Sequence, residues 1–270
     1  MNRSTPATTI KPRILTAVVL VPLVLAGIFW LPPAGLLALG VALAVVGGLE
    51  WAELIHIPRG GRLVYALVVG GGTWLAAHLP ALGVALAAGV WWLLVLAEVP
   101  LFRPQSDEPV FRAAHGLAGL LTLAPAFGLL VGLVAANPWH AVALLVFIWA
   151  ADIGAYFVGK AWGRHGMVPN VSPGKTWEGL IGGMALAAGA AGAFAWARPE
   201  LGAPIVLIGL ALLVAVVGQL GDLSESMFKR RANVKDSGRW LPGHGGILDR
   251  VDSLTAAVPV YIICLWGVGL

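Results

Sequence analysis

The chain has 270 residues, of which 59% are hydrophobic and 11% are charged, and its mean hydropathy is +0.88. Because average soluble proteins contain about 25% charged residues, this composition excludes a water-soluble domain and predicts an integral membrane protein. The single cysteine, Cys264, excludes a disulfide framework and a thiolate metal site.

Apolar segments follow one another along the whole chain, and a membrane-spanning helix needs about 20 such residues. The candidate spans are residues 14–30, 34–54, 63–78, 81–101, 116–136, 140–159, 179–197, 204–221 and 253–270. Basic residues before the first span resemble a signal peptide, but no small-residue cleavage site follows, so we expect this span to remain. Short separators that carry proline, glycine or charge indicate turns between the spans.

The sequence therefore predicts an all-α fold, a polytopic transmembrane helix bundle of about nine spans with cytoplasmic active-site loops. Residues 1–115 would form N-terminal transmembrane helices. Residues 116–270 would form C-terminal transmembrane helices together with the catalytic cytoplasmic loops.

Basic residues are distributed unevenly between the two sides of this bundle. With the N-terminus in the cytoplasm, sixteen of the seventeen Lys and Arg residues fall in inner segments and only Arg198 falls outside. Positive residues concentrate in cytoplasmic loops, so we expect a multi-pass protein of the cytoplasmic (inner) membrane with its active site on the cytoplasmic side. The net charge of +4 is then explained by membrane topology and by attraction to anionic lipid headgroups, and no nucleic-acid partner is expected.

The first of two longer inner segments, residues 151–179, contains groups that can bind phosphate. Its Ser-Pro-Gly-Lys-Thr run resembles the end of a P-loop, but Pro169 stands where that motif requires glycine. The hydroxyls of Ser172 and Thr176, together with Lys175, would still form an anion seat before the next helix. An ordinary basic inner loop is the alternative interpretation.

The second inner segment, residues 221–253, holds five acidic and six basic residues in a chain that is otherwise nearly uncharged. If the eighth helix continues into this segment, Asp222, Glu225, Ser226 and Lys229 follow helical spacing. They would then share one face of that helix.

Asp249 and Asp252 lie three residues apart where the last span opens. Carboxylates at a span end need a cation, a counter-charge or water. Together with Asp222 they are candidate ligands for Mg²⁺, which would leave its remaining positions to substrate phosphates. Alternatively, Asp222 or Asp249 forms ion pairs with Lys229 or a neighbouring arginine and holds the loop against the bundle. The nearby His244 is interpreted as a positioning donor, because a lone histidine does not make a zinc site.

The segment from Ser226 to Asp252, SMFKRRANVKDSGRWLPGHGGILDRVD, resembles the signature of the phosphatidate cytidylyltransferases, or CDP-diacylglycerol synthases. The upstream stretches ADIGAYFVGKAWGR and SPGKTWEG are similar to the same family. Two positions depart from its pattern, Ile153 where threonine is expected and Gly174 where lysine is common. The first 115 or so residues carry no motif of the family.

This resemblance implies transfer of a cytidylyl group from CTP to phosphatidate, with Mg²⁺ as cofactor. CTP, phosphatidate and membrane lipid are the implied partners, and a homodimer is left open. The implied catalytic residues are Asp222, Asp249, Lys229 and Lys175. The implied metal ligands are Asp222, Asp249, Asp252 and Asp152. The implied substrate contacts are Ser172, Lys175, Thr176, Lys229, Arg230, Lys235, Asp236, His244 and Arg250.

A polytopic transporter of an anionic substrate is the alternative function. Transporters more usually show repeated halves, broken helices and a site at the middle of the membrane. The sequence shows no internal repeat, and its charges cluster towards one side of the predicted bundle.

Overall fold

The computed structural model describes residues 10–99, 109–232, 234, 237–238 and 245–270. Within these ranges the chain forms nine α-helices and one short β-hairpin. The helices are α1 (Ile10–Trp30), α2 (Pro33–Leu54), α3 (Arg59–His78), α4 (Ala81–Glu98), α5 (Pro109–Ala136), α6 (Pro138–Trp162), α7 (Trp177–Ala197), α8 (Pro204–Arg231) and α9 (Leu248–Gly267). The strands are β1 (Gly166–Val168) and β2 (Ser172–Thr176), and a 3-10 turn lies at Pro199–Leu201.

The helices have the length and surface of a membrane protein. Six of them, α2 and α4 to α8, are by length and composition able to cross a membrane. Large apolar side chains are exposed on the outside of the bundle, including Leu93 (67%), Ile205 (75%) and Trp196 (88%). Such a surface is stable in lipid and would be costly in water. The prediction of an all-α polytopic membrane protein is confirmed.

Each predicted span corresponds to one helix, but several helices extend beyond their apolar part. The α8 helix continues past residue 221 to Arg231, and α9 begins at Leu248 rather than at residue 253. Hydropathy identifies only the part of a helix that lies in hydrocarbon, whereas backbone hydrogen bonding continues through charged residues. Basic residues in the last turn of α8 also interact favourably with the helix dipole.

Small residues bring α6 and α7 into close contact. A Cβ atom on Gly154 of α6 would lie 2.5 Å from the carbonyl oxygen of Gly182, and one on Gly183 would lie 2.6 Å from that of Ala151. Only glycine allows two helix backbones to approach this closely, as is common in membranes. This contact fixes the two helices between which the β-hairpin lies.

The hairpin was not predicted from the sequence. Strands β1 and β2 are antiparallel, with Gly166 opposite Thr176 and Val168 opposite Ser172. The backbone N–H of Val171 donates to the carbonyl of Val168 at 3.0 Å and closes a turn through a Pro-Asn pair. Proline at the first central position favours such a turn, but these short strands lack the alternating apolar pattern that identifies a strand.

Long-range hydrogen bonds show which helix ends lie together. At one end of the bundle, Trp51 of α2 donates from Nε1 to the carbonyl of His115 of α5 at 2.9 Å. At the other end, the ring of His140 of α6 lies 3.1 Å from the hydroxyl of Tyr261 of α9. We call the first end the site end. It contains the C-terminal ends of α2, α6 and α8, the hairpin, and the N-terminal ends of α7 and α9.

Candidate active site

The last turns of α8 supply one wall of the site end. Ser226 donates from its hydroxyl to Asp222 Oδ1 at 3.3 Å, and Lys229 donates from Nζ to Glu225 Oε2 at 2.9 Å. Both contacts join residues four positions apart. The prediction that these four polar residues share one face of a continued helix is confirmed.

Asp249, in the first turn of α9, lies against this face and uses both carboxylate oxygens. Its Oδ1 atom accepts from Lys229 Nζ at 2.8 Å. Its Oδ2 atom accepts from the backbone N–H and the hydroxyl of Ser237, both at 3.0 Å, and from the N–H of Gly246 at 2.8 Å. The side chains of Lys229 and Asp249 are 14% and 9% exposed, so this is a largely buried ion pair. The ion-pair interpretation therefore describes the contact that Asp249 makes in this structure.

The hairpin brings the first inner segment to the second. Lys175 on β2 reaches α8, where its Nζ atom lies 2.6 Å from Asp222 Oδ2 and donates to the carbonyl of Gln219 at 3.3 Å. Arg230 Nε donates to the carbonyl of Val171 in the hairpin turn at 3.2 Å. Asp222 thus pairs with a lysine from the other segment rather than with a basic residue of its own.

Two further carboxylates face the same region. Asp152 on α6 is within electrostatic range of Asp222 and Lys175, and Asp252 on α9 is within range of Asp152, Asp222 and Glu225. A side chain at position 221 of α8 would collide with the backbone of α9 at Asp252, so the glycine there allows the two helices to meet. All the predicted metal ligands therefore lie at the site end.

A small cavity extends from these carboxylates into the bundle. Its lining includes Glu225, Asp252, Thr122 and the rings of Trp51 and Trp92. Glu225 is 4% exposed, and its buried Oε1 atom has no hydrogen-bond partner among the residues that the structure describes. A buried carboxylate oxygen without a partner is costly, which makes this wall receptive to a cation or to water.

The arrangement can be tested against the predicted Mg²⁺. Over the described ranges, no three or more His, Cys, Asp or Glu side chains form a group that could hold a metal ion by themselves. Mg²⁺ is usually held by one or two carboxylates together with water and substrate phosphates. The partly exposed Asp222, the Oε1 atom of Glu225 and the nearby Asp252 provide hard oxygen donors of this kind. The residues fit Mg²⁺, and its binding stays a prediction.

The other predicted substrate contacts bond within the protein, lie exposed at the site end, or fall outside the described residues. Thr176 accepts from the N–H of Gly179 at 3.1 Å and caps α7, while Ser172 pairs within the hairpin. Arg250 lies exposed in the first turn of α9. Three predicted contacts, Lys235, Asp236 and His244, lie outside the described residues.

One residue of the site end was missed by sequence reasoning. Glu50 of α2 accepts hydrogen bonds from the backbone N–H groups of Ile247 at 3.0 Å and Leu248 at 2.8 Å, 197 and 198 residues away. It is 2% exposed. The available signal was an ionisable residue inside an apolar span, which often marks function, but it lies in the part of the chain without a motif.

The position of these charges bears on the transporter alternative. The pairs of Lys175 with Asp222 and of Lys229 with Asp249 lie near helix ends on one side of the bundle. A transporter site is expected near the middle of the membrane, between broken helices. The geometry favours a reaction at the membrane surface over transport.

Comparison with known proteins identifies similar chains. The cytidylyltransferase family model matches residues 11–267. A phosphatidate cytidylyltransferase of Pseudomonas aeruginosa is 42% identical over 269 residues, covering 96% of this chain and 98% of the relative. One of Haemophilus influenzae is 37% identical over 288 residues, covering 93% and 97%. One of Brucella suis is 51% identical over 119 residues, 43% of each chain.

Proposed function

Since the chain belongs to the cytidylyltransferase family, we propose that it transfers a cytidylyl group from CTP to phosphatidate, giving CDP-diacylglycerol and pyrophosphate in phospholipid biosynthesis. The observation that carries this proposal is the meeting of two lysine–carboxylate pairs, Lys175 with Asp222 and Lys229 with Asp249, from three separate elements at one end of the bundle. Relatives that span nearly the whole chain carry the name of this activity.

The reaction joins two anions, so positioning and charge neutralisation must provide most of the rate acceleration. A phosphate oxygen of phosphatidate attacks the α-phosphorus of CTP, and the bond from that phosphorus to the bridging oxygen of pyrophosphate breaks. The lipid phosphate is already ionised at neutral pH. No covalent intermediate on the protein is needed.

The lysines of the site are placed to bind the phosphates. Lys175 and Lys229 are held by carboxylates at 2.6 and 2.8 Å, which fixes their ammonium groups before substrate arrives. Pre-organised cations stabilise developing negative charge without further reorganisation. Arg230 and Arg250, at the exposed rim, are assigned to the outer phosphates.

The carboxylates are assigned to the predicted metal. Asp222 would hold Mg²⁺, with Asp252 and Asp152 beside it, and Asp249 would join them by giving up its Oδ1 contact with Lys229. When bound, the ion would neutralise charge on the departing pyrophosphate. The Oε1 atom of Glu225, which has no partner among the described residues, lies in the same region.

The site is further proposed to face the cytoplasm of the inner membrane. Sixteen of the seventeen basic residues then lie on the cytoplasmic side. In this orientation CTP reaches the site end from the cytoplasm, and phosphatidate enters from the inner leaflet. A homodimer is retained as an open proposal.

The decisive experiment follows two labels in CTP. Purified protein in mixed micelles with phosphatidate should transfer label from the α-phosphate into extractable lipid and release label from the γ-phosphate as pyrophosphate. EDTA should abolish both, and Mg²⁺ should restore them. Diacylglycerol in place of phosphatidate is the control and should accept no label.

Two results would contradict the proposal. Transfer of the γ-label to lipid would indicate a kinase. No transfer in micelles, combined with uptake of an anion into sealed vesicles, would indicate a transporter, because only transport requires two compartments.

A further inference from the structure

Glu50 lies directly behind the proposed active site. Its Oε1 atom accepts from the N–H of Ile247 at 3.0 Å, and its Oε2 atom accepts from the N–H of Leu248 at 2.8 Å. These N–H groups belong to the N-terminal turn of α9, where Ile247 stands at the N-cap position and supplies no side-chain cap. Glu50 therefore provides from α2 the cap that the helix lacks.

The same carboxylate lies against both ends of the segment that precedes α9. A Cβ atom on Gly246 would lie 2.5 Å from each oxygen of Glu50 and 2.5 Å from the hydroxyl of Ser237. A Cβ atom on Gly238 would collide with Oε1 of the same side chain. A side chain at either position would displace the Glu50 carboxylate, because that carboxylate occupies the space that the side chain would fill.

These contacts connect Glu50 to Asp249. The N–H of Gly246 and the N–H and hydroxyl of Ser237 all donate to Asp249 Oδ2. Glu50 holds the next two N–H groups along the chain, and its charge interacts with that of Asp249. The carboxylates of Glu50 and Asp249 thus accept hydrogen bonds from consecutive N–H groups of the same stretch of backbone.

Burial of a charge is costly unless it is hydrogen-bonded or paired. Glu50 is 2% exposed, and the hydrogen bonds found for its carboxylate within the described residues come from backbone N–H groups rather than from a lysine or arginine. A neutral glutamine could not satisfy both N–H groups, because its amide nitrogen is a donor. The site therefore requires an acid.

We propose that Glu50 is a positioning residue, which fixes the first turn of α9 and thereby the orientation of Asp249. This inference rests on the proposed cytidylyl transfer. It assigns a part of the site to α2, in the portion of the chain that carries no family motif. Glu50 itself touches neither substrate nor the reacting atoms.

The test compares Glu50→Gln with Glu53→Gln. Glu53 is on the same helix, three residues further along; its side chain is 66% exposed and lies 3.5 Å from Arg62 in an ion pair. Glu50→Gln should lower kcat at least tenfold while the KM for CTP changes less than threefold, since Asp249 is misoriented but the substrate-binding lysines remain. Glu53→Gln should leave both unchanged.

A second readout does not depend on activity. In hydrogen–deuterium exchange of the purified protein, the amides of residues 246–248 should exchange at least tenfold faster in Glu50→Gln, whereas amides of α6 and α7 should keep their rates. Glu50→Asp, which keeps the charge, should restore part of both kcat and protection. If the wild type shows this protection but transfers no cytidylyl group, the proposed function fails while the contact stands.

A glycine variant keeps the proposal testable if Glu50→Gln folds poorly. The three atoms nearest to a Cβ at position 238 are all side-chain atoms of Glu50. Gly238→Ala should lower kcat in the wild type and have a smaller effect in a Glu50→Ala background, because that background removes those atoms. Wild-type kcat and wild-type exchange in Glu50→Gln, or full additivity of the two alanine substitutions, would overturn the proposal.

Discussion

Replacement of Asp249 by asparagine distinguishes a catalytic role of this carboxylate from a purely structural one. The carboxylate accepts from Lys229 through Oδ1 and from Ser237 and Gly246 through Oδ2. An amide nitrogen in either position would face a donor, so no rotation of the asparagine side chain preserves all of these contacts. The substitution removes one charge and leaves the size of the side chain unchanged.

The size of the effect follows from these contacts. Losing a hydrogen bond to a charged group costs about 1.5–3 kcal/mol, and each 1.36 kcal/mol of barrier corresponds to about a tenfold change in rate. Loss of the contact to Lys229, together with any contribution to the predicted Mg²⁺, should therefore lower kcat by about a hundredfold or more. The protein should remain folded in detergent, because the substitution is confined to one end of the bundle.

The assay is transfer of α-labelled CTP into lipid over a titration of Mg²⁺, together with thermal unfolding in detergent. Glu200→Gln is the matched control, since Glu200 pairs with Arg198 at 3.3 Å in an exposed position near the opposite end of the bundle. It should change neither measurement.

Near-normal turnover of Asp249→Asn at limiting Mg²⁺ would refute the catalytic assignment. That result would make Asp249 a structural partner of Lys229, the alternative that the sequence left open.

The remaining predictions concern phosphate binding and topology. Lys175→Ala removes the 2.6 Å partner of Asp222 and should lower kcat/KM for CTP at least tenfold, on the order of 1.5–3 kcal/mol. Arg59→Ala should change kcat/KM little. Equal effects of the two substitutions in steady-state kinetics would mean that both residues serve only membrane topology. The orientation can be tested by cysteine labelling in a variant in which the native Cys264 is replaced. An impermeant thiol reagent added to intact cells should label Glu200→Cys but not Gly174→Cys, although position 174 in the hairpin has open space around it. The reverse pattern would mean that the orientation is opposite to the one proposed.

Much of the fold could be predicted because its signals are local. A long apolar run requires a helix in lipid, since every backbone polar group must be satisfied within the segment. The positions of the nine helices within the described ranges follow from that requirement. The continuation of α8 could also be predicted, because Asp222, Glu225 and Lys229 follow helical spacing whether or not they lie in hydrocarbon.

The pairing of charges could not be predicted in the same way. If Asp222 forms an ion pair, the sequence predicts a basic partner from its own segment, whereas the structure pairs it with Lys175 from the hairpin. Opposite charges attract at any sequence separation, so composition shows that pairs will form but not which ones. The choice depends on where the hairpin places its lysine.

The sequence by itself determined the membrane class, the number of helices and the segments that carry the family signature, because hydropathy, helical period and motif are properties of neighbouring residues. Only the tertiary structure decided that Glu50 caps α9 across 197 residues and that Lys175 meets Asp222. These contacts depend on how closely the helices pack. The distance between two helices is set where a glycine such as Gly154 of α6 meets a neighbouring backbone. It cannot be predicted from one segment of the chain, because it depends on both helices.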